Sequence, residues 1–159
     1  MPVGAYGGRG DLMRMVAPAG PVYQAGTLSG NPLATAAGMA TVRHLVQNPN
    51  IYALLESRGA ALEAAIARTI QTKGYPLSIN RAGSMATLFF HPGPVRSWDE
   101  AAQCDRPRFA RYHRALLSRG IYMPPSQFEA FFISAAHSED DIAQTAQAIH
   151  AALDEAFAK

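Results

Sequence analysis

The stretch Tyr23 to Val42, YQAGTLSGNPLATAAGMATV, puts Thr27 and Ser29 between Gly26 and Gly30, just before Asn31-Pro32 and an Ala- and Gly-rich run. Those are the parts from which a chain holds an anion. Glycine lets backbone N–H groups come close, hydroxyls donate, and the first amides of a helix lack intrahelical partners and sit at the positive end of its dipole. The same residues also make an ordinary capped helix after a flexible loop. The pattern is neither a Walker loop nor a dinucleotide fingerprint, so it does not point to a nucleotide. A second candidate is Glu129, in MPPSQFEAFFIS, where a Pro-anchored loop meets an apolar run. A carboxylate there is either a working acid or the solvated first residue of a strand.

The other reactive side chains form no constellation. His44, His91, His113 and His150 have no metal-ligand spacing with one another or with Cys104, so no metal site is expected. His137, directly before a capped helix, is expected to make a local contact. Cys104 is read as structural or exposed, and Trp98, Phe109 and Tyr112 as packing residues. The single cysteine excludes an internal disulfide framework and suits a reducing, cytoplasmic compartment. With 159 residues, 48% hydrophobic and 16% charged, the chain reads as globular. Its net charge of +2 is carried by Arg residues in no run or stripe, which argues against a nucleic-acid partner. No apolar stretch reaches membrane-spanning length, and MPVGAYGGRG has no signal-peptide pattern.

These residues have to be positioned by secondary structure that the pattern partly predicts. PVGAYGG reads as a buried strand running into a glycine turn, and Asp11 as the cap of a short helix, DLMRMV. Asn31 as N-cap and Pro32 at the first helical position start a helix to about Gln47, whose Gly38 implies close packing. Asn48-Pro49 opens a second helix that ends at Lys73-Gly74, with Ile51, Leu55, Leu62, Ile66 and Ile70 on one face. PLSIN and SMATLFFH are expected as strands bent at Arg81-Ala82-Gly83, HPGPVRSWDE as loop, and 104–118 as a helix stopped by Gly120. IYM and AFFISA read as strands. Ser138 caps a last helix, with Asp141 in a near capping box and an apolar face of Ile142, Ala146, Ile149, Leu153 and Phe157. From residue 50 onward the order is that of a small α/β layer. Residues 1–49 read instead as the trailing part of a larger domain.

MPVGAYGGRGDLMRMVAPAGPVYQAGTLSGNPLATAAG, RAGSMATLFF and GIYMPPSQFEAFFISAAHSEDDI together resemble the glutamate-1-semialdehyde 2,1-aminomutases. These are members of the class III, fold-type-I aminotransferases that use pyridoxal 5′-phosphate. AGTLSGNP is common to the wider class, and PPSQFEA favours the aminomutases over ordinary transaminases. The resemblance covers essentially the whole chain and implies the end of a large cofactor-binding domain, 1–49, followed by the small C-terminal α/β domain, 50–159. It implies a homodimer that isomerises glutamate-1-semialdehyde to 5-aminolevulinate for tetrapyrrole (porphyrin) synthesis. Carried over, Gly26 and Thr27 bind the phosphate of the cofactor held by the neighbouring subunit, and Glu129 lies near the substrate's amino group. The family's Schiff-base lysine falls upstream of Met1, and Lys73 and Lys159 do not occupy its motif. No catalytic residue is therefore assigned, and the 159 residues alone are expected to be inactive. Two alternatives stand beside this reading: a non-catalytic remnant that serves at most as a protein-binding or dimerisation module, and a different class III transaminase.

Overall fold

The computed structural model describes residues 1–158. The chain divides into two compact units, Met1–Pro49 and Asn50–Lys159.

The first unit is built on one long helix. Gly10–Met13 is a single turn (α1), and Pro32–Gln47 is α2. Asn31 caps α2 as its sequence predicts, its side chain accepting from the Ala34 N–H at 3.0 Å, with Pro32 in the first turn. The expected strand at 2–7 does not form: its residues are exposed, and no strand among the described residues pairs with it. A strand has no internal hydrogen bonds, so an apolar pattern alone cannot make one. Asp11 does not cap α1 either. Its carboxylate is held by the Arg9 guanidinium, at 3.1 and 2.5 Å, which pulls its pKa below the usual range. Other chain approaches α2 at Ala34, which is fully buried, and at Gly38, where a side chain would meet Val3 at 3.4 Å.

In the second unit, α3 (Asn50–Lys73) is followed by an antiparallel hairpin, β1 (Ser78–Ala82) and β2 (Met85–Phe89). The hairpin closes one residue pair later than expected. Ala82 pairs with Met85, so the turn is Gly83-Ser84, with Gly83 at φ 61°, a left-handed value that suits glycine. The segment expected as loop after β2 contains a helical turn, α4 (Trp98–Ala101), capped by Ser97. Next, α5 (Arg106–Leu117) starts at Asp105, whose side chain accepts from the Arg108 N–H, and ends at Gly120, φ 77°. The predicted strand at 121–123 is absent, and the predicted 130–135 strand shrinks to β3 (Phe131–Phe132), which pairs with β2 at Ala86 and Met85. The Ile133 N–H extends this contact to the hairpin turn, donating to the Ser84 carbonyl at 2.8 Å.

The last helix, α6 (Glu139–Phe157), begins with a complete capping box. Asp141 N–H donates to Ser138 Oγ, and the Asp141 carboxylate accepts from the Ser138 N–H. Its expected apolar face packs on α3 and α5 and joins Leu88 of β2 in one core. Ile66, Leu116, Ile149 and Leu153 are the largest fully buried side chains of that core.

A polar clamp ties the C-terminal end of α3 to α6. The Asp154 carboxylate accepts from the Tyr75 hydroxyl at 2.6 Å and pairs with Lys73 Nζ at 2.9 Å, while Tyr75 stacks on Phe157 with ring centroids 4.2 Å apart. The Tyr75 hydrogen bond first, then Lys73, holds the Asp154 pKa below the ordinary carboxylate value. Burial, reinforced by the bond to Asp154, pushes Tyr75 up to about 12. A carboxyl group whose pKa is lower in the folded chain than in the unfolded one contributes stability above its unfolded pKa, and that stability is lost as pH falls through the folded value. Asp154→Asn is therefore expected to lower stability at pH 7 by about 1 kcal/mol, a value kept small because the pair is partly solvated. In urea titrations the gap to the wild type closes below about pH 4, the unfolded carboxylate range. A gap that stays constant down to about pH 2 contradicts the clamp.

Candidate functional site

In the first unit, the loop before α2 is shaped by two turns: the Ser29 N–H donates to the Gly26 carbonyl at 2.9 Å, and the Asn31 N–H to the Leu28 carbonyl at 3.1 Å. A side chain at Gly26 would stand 2.9 Å from Ser29 Oγ, so a larger residue there would turn that hydroxyl away from its present position. Gly26, Thr27, Ser29 and Gly30, with Gln24 and Thr35, line one concavity together with Pro2–Tyr6, and no carboxylate is among its lining residues. Thr27 and Ser29 are exposed.

The helix itself offers less to an anion than its composition suggests. Of its first donors, the Asn31 N–H is used in the turn, Pro32 has none, and the Ala34 N–H is taken by the Asn31 side chain. Only the Leu33 N–H remains. A group bound here is held by the loop hydroxyls and the Gly26–Gly30 backbone rather than by a bare helix end. The donor set, hydroxyls and N–H groups without a carboxylate, fits a phosphate.

In the second unit, Glu129 lies on a turn and not at the start of a strand. Its N–H donates to the Ser126 carbonyl, and the Phe128 N–H to Ser126 Oγ, both at 3.2 Å. The turn is flanked by aromatic contacts: Phe128 packs on Trp98 with centroids 5.0 Å apart, and the Arg106 guanidinium lies 5.1 Å over the Phe128 ring. Glu129 is exposed on the rim of a cleft formed by Thr87 and Leu88 of β2, Phe109 and Tyr112 of α5, and the 123–131 segment. Gln127 lies in the same cleft and went unnoticed in the sequence. It is 4% exposed, and neither carboxamide atom finds a hydrogen-bond partner among the described residues. Tyr112 is buried beside it, and burial alone raises its hydroxyl pKa far above the usual tyrosine range.

The structure thus brings Gly26 and Thr27 together in the first unit and sets Glu129 on the second. His137 makes the local contact expected of it, its Nδ1 accepting from the Ser134 N–H at 3.0 Å. Cys104 is buried, which pushes its thiol pKa up. Phe109 and Tyr112 pack in and against the core, whereas Trp98 keeps 64% of its surface exposed.

No family model matches the chain. Curated proteins and solved structures do. A glutamate-1-semialdehyde 2,1-aminomutase from Sorangium cellulosum is 56% identical over 153 residues, covering 96% of this chain and 35% of the relative. One from Thermus thermophilus is 53% identical, covering 96% of this chain and 36% of the relative. Among solved structures, an omega-transaminase from Sphaerobacter thermophilus superposes with a TM-score of 0.76 at 26% identity, over 96% of this chain and 35% of that one. A transaminase with pyridoxal phosphate bound superposes at 0.74 with 21% identity, over 94% of this chain and 34% of that one, which is a likeness of fold. The mixed α/β fold is therefore that of part of a pyridoxal-phosphate-dependent aminotransferase, and the chain matches the C-terminal part of the glutamate-1-semialdehyde 2,1-aminomutases, spanning about a third of the length of the curated relatives it matches.

Proposed function

We propose that these 159 residues work as the C-terminal part of a longer aminomutase, a cytoplasmic homodimer that isomerises glutamate-1-semialdehyde to 5-aminolevulinate in tetrapyrrole synthesis. In this reading, residues 1–49 end the large cofactor-binding domain and residues 50–159 are the small domain. The observation that carries it is identity of 56% and 53% to two aminomutases across nearly the whole chain, with both AGTLSGNP and PPSQFEA present.

Bound pyridoxal phosphate supplies the carbonyl carbon that takes up and returns the migrating amino group. This chain's own part is to bind and orient. The Thr27 hydroxyl and the Gly26 backbone hold the phosphate of the cofactor seated in the neighbouring subunit, which makes each site dependent on the dimer. The Gly26-Thr27 turn gives the phosphate a donor face with no opposing carboxylate. Glu129, on a turn braced by Ser126 and Phe128, presents an acceptor to the substrate's ammonium group and sets which amino group faces the cofactor. The 159 residues alone, which carry only Lys73 and Lys159, are inactive in this reading.

In the full-length dimer, Thr27→Ala is expected to weaken cofactor retention by about 10- to 100-fold, the worth of one hydrogen bond to a charged group. Cofactor absorbance after exhaustive dialysis reads this directly. Occupancy equal to wild type removes Thr27 from the phosphate site.

A further inference from the structure

Phe128, the residue before Glu129, is held by two side chains far from it in sequence. The Trp98 indole, on α4, has its centroid 5.0 Å from that of the Phe128 ring at a tilt of 46°, and the Arg106 guanidinium, at the start of α5, lies 5.1 Å over the same ring. Both are attractive geometries, one an aromatic pair and the other a cation on a ring face. Arg106 takes part in no ion pair among the described residues, whereas Arg108, two residues on, is paired with Asp105 at 3.2 Å. The two supports are themselves fixed. Ser97 Oγ accepts from the Glu100 N–H at 3.3 Å at the start of α4, and the Asp105 N–H donates to the carbonyl of buried Phe90 at 3.0 Å. By contrast, the two bonds inside the Ser126–Glu129 turn are both 3.2 Å, at the long end of the usual range. A turn with such internal bonds depends on what its side chains touch.

We propose that Phe128 is a positioning residue, whose ring, braced by Trp98 and Arg106, fixes the turn from which Glu129 projects. Trp98 and Arg106 then act on Glu129 at one remove, through the ring. Trp98 keeps 64% of its surface exposed, so its work is local to this contact and not to the core. The consequence for substrate rests on the Glu129 reading given above, while the brace itself does not.

Trp98 is the one tryptophan of the 159-residue chain, so its fluorescence reports the brace without interference. Phe128→Leu keeps an apolar side chain but removes the ring, and quenching of Trp98 by acrylamide is expected to rise about twofold as the indole loses its neighbour. Unchanged quenching overturns the contact. Hydrogen exchange at the Glu129 amide is expected to quicken about fivefold in Trp98→Ala and to recover in Trp98→Phe, with the Ile149 and Leu153 amides unchanged. If Trp98→Ala leaves Glu129 as protected as in wild type, the turn holds itself and the positioning role is lost. If the Ile149 and Leu153 amides quicken as well, Trp98 supports the core and the role is lost too. In the full-length dimer, Phe128→Leu is expected to lower kcat/KM about tenfold when Glu129 is present and to add nothing to the loss in Glu129→Gln. Losses that add would mean that Phe128 does not act through Glu129. If Glu129→Gln alone costs nothing, the substrate reading of Glu129 falls, and the fluorescence and exchange measurements, which need no substrate, still decide the brace.

Discussion

Leu153→Ala is expected to lower the stability of the second unit by about 3–5 kcal/mol, the upper part of the range for a buried leucine. Leu153 is fully buried, in a core that receives side chains from α3, β2, α5 and α6 at once. A cavity left there cannot be closed by moving one element, because each is fixed by the others and by capped ends: the capping box of α6 and the Asp105 cap of α5. The lost burial and the uncollapsed cavity therefore add. Urea titration followed by the circular dichroism of the helices measures the loss. As a contrast, Val46→Ala, at a valine 74% exposed on α2, stays within about 0.5 kcal/mol. Equal effects at the two positions would mean that the core is not where the structure puts it.

Gly59→Ala is the second large effect, and its sign is the informative part. In an exposed helix interior this change gains about 1 kcal/mol. Here α3 passes the β1–β2 turn so closely that the added Cβ would lie 2.5 Å from the Gly83 carbonyl oxygen, with the Arg81 side chain at 3.4 Å. The obstacle is backbone, held in a two-residue turn, and cannot swing away. Pushing it back also strains the Arg81 hub, whose guanidinium donates to the Gly83 carbonyl at 2.9 Å and pairs with Glu63 and Glu56 at 2.7 and 2.9 Å. Glu56 and Glu63 together hold the Arg81 pKa above its ordinary value. Overpacking of this kind costs about 1–3 kcal/mol. Gly59→Ala is accordingly destabilising, by about 1–2 kcal/mol, the overpacking and the hub strain together outweighing the helix gain. A stabilised variant in the same urea titration would show that α3 and the hairpin stand further apart.

These two cases mark how far the sequence could be read. Helix limits were legible wherever a short-range device sets them, as with Asn31-Pro32, Ser138 with Asp141, and Gly120, because cap and helix are neighbours in the chain. One such device was overlooked: Ser97 and Glu100 have the capping-box spacing and start α4. Strands were less legible, since a strand exists only beside a partner. Residues 2–7 and 121–123 have strand-like composition and pair with nothing among the described residues. Among glycines, the pattern drew attention to Gly38, whereas the tightest approach in the second unit is at Gly59, set by a hairpin more than twenty residues away. No local signal distinguishes the two.

The candidate site divides in the same way. Gly26, Thr27 and Glu129 are each picked out by a contiguous motif in the sequence. The structure changes their meaning: Asn31 and Pro32 leave α2 almost no free donor, so the loop carries the anion reading. Gln127 was hidden because glutamine is ordinarily a surface residue, and only the packing of α5 and β2 over the 123–131 segment buries it.

The most direct test is the formation of 5-aminolevulinate from glutamate-1-semialdehyde, with pyridoxal phosphate present, by two proteins side by side. One is this chain alone, and the other is this chain joined in frame behind the remaining two-thirds of the Sorangium cellulosum relative. The account predicts no product from the chain alone and steady turnover from the joined protein. Turnover by the chain alone, or a folded joined protein that binds the cofactor and forms no product, would contradict it.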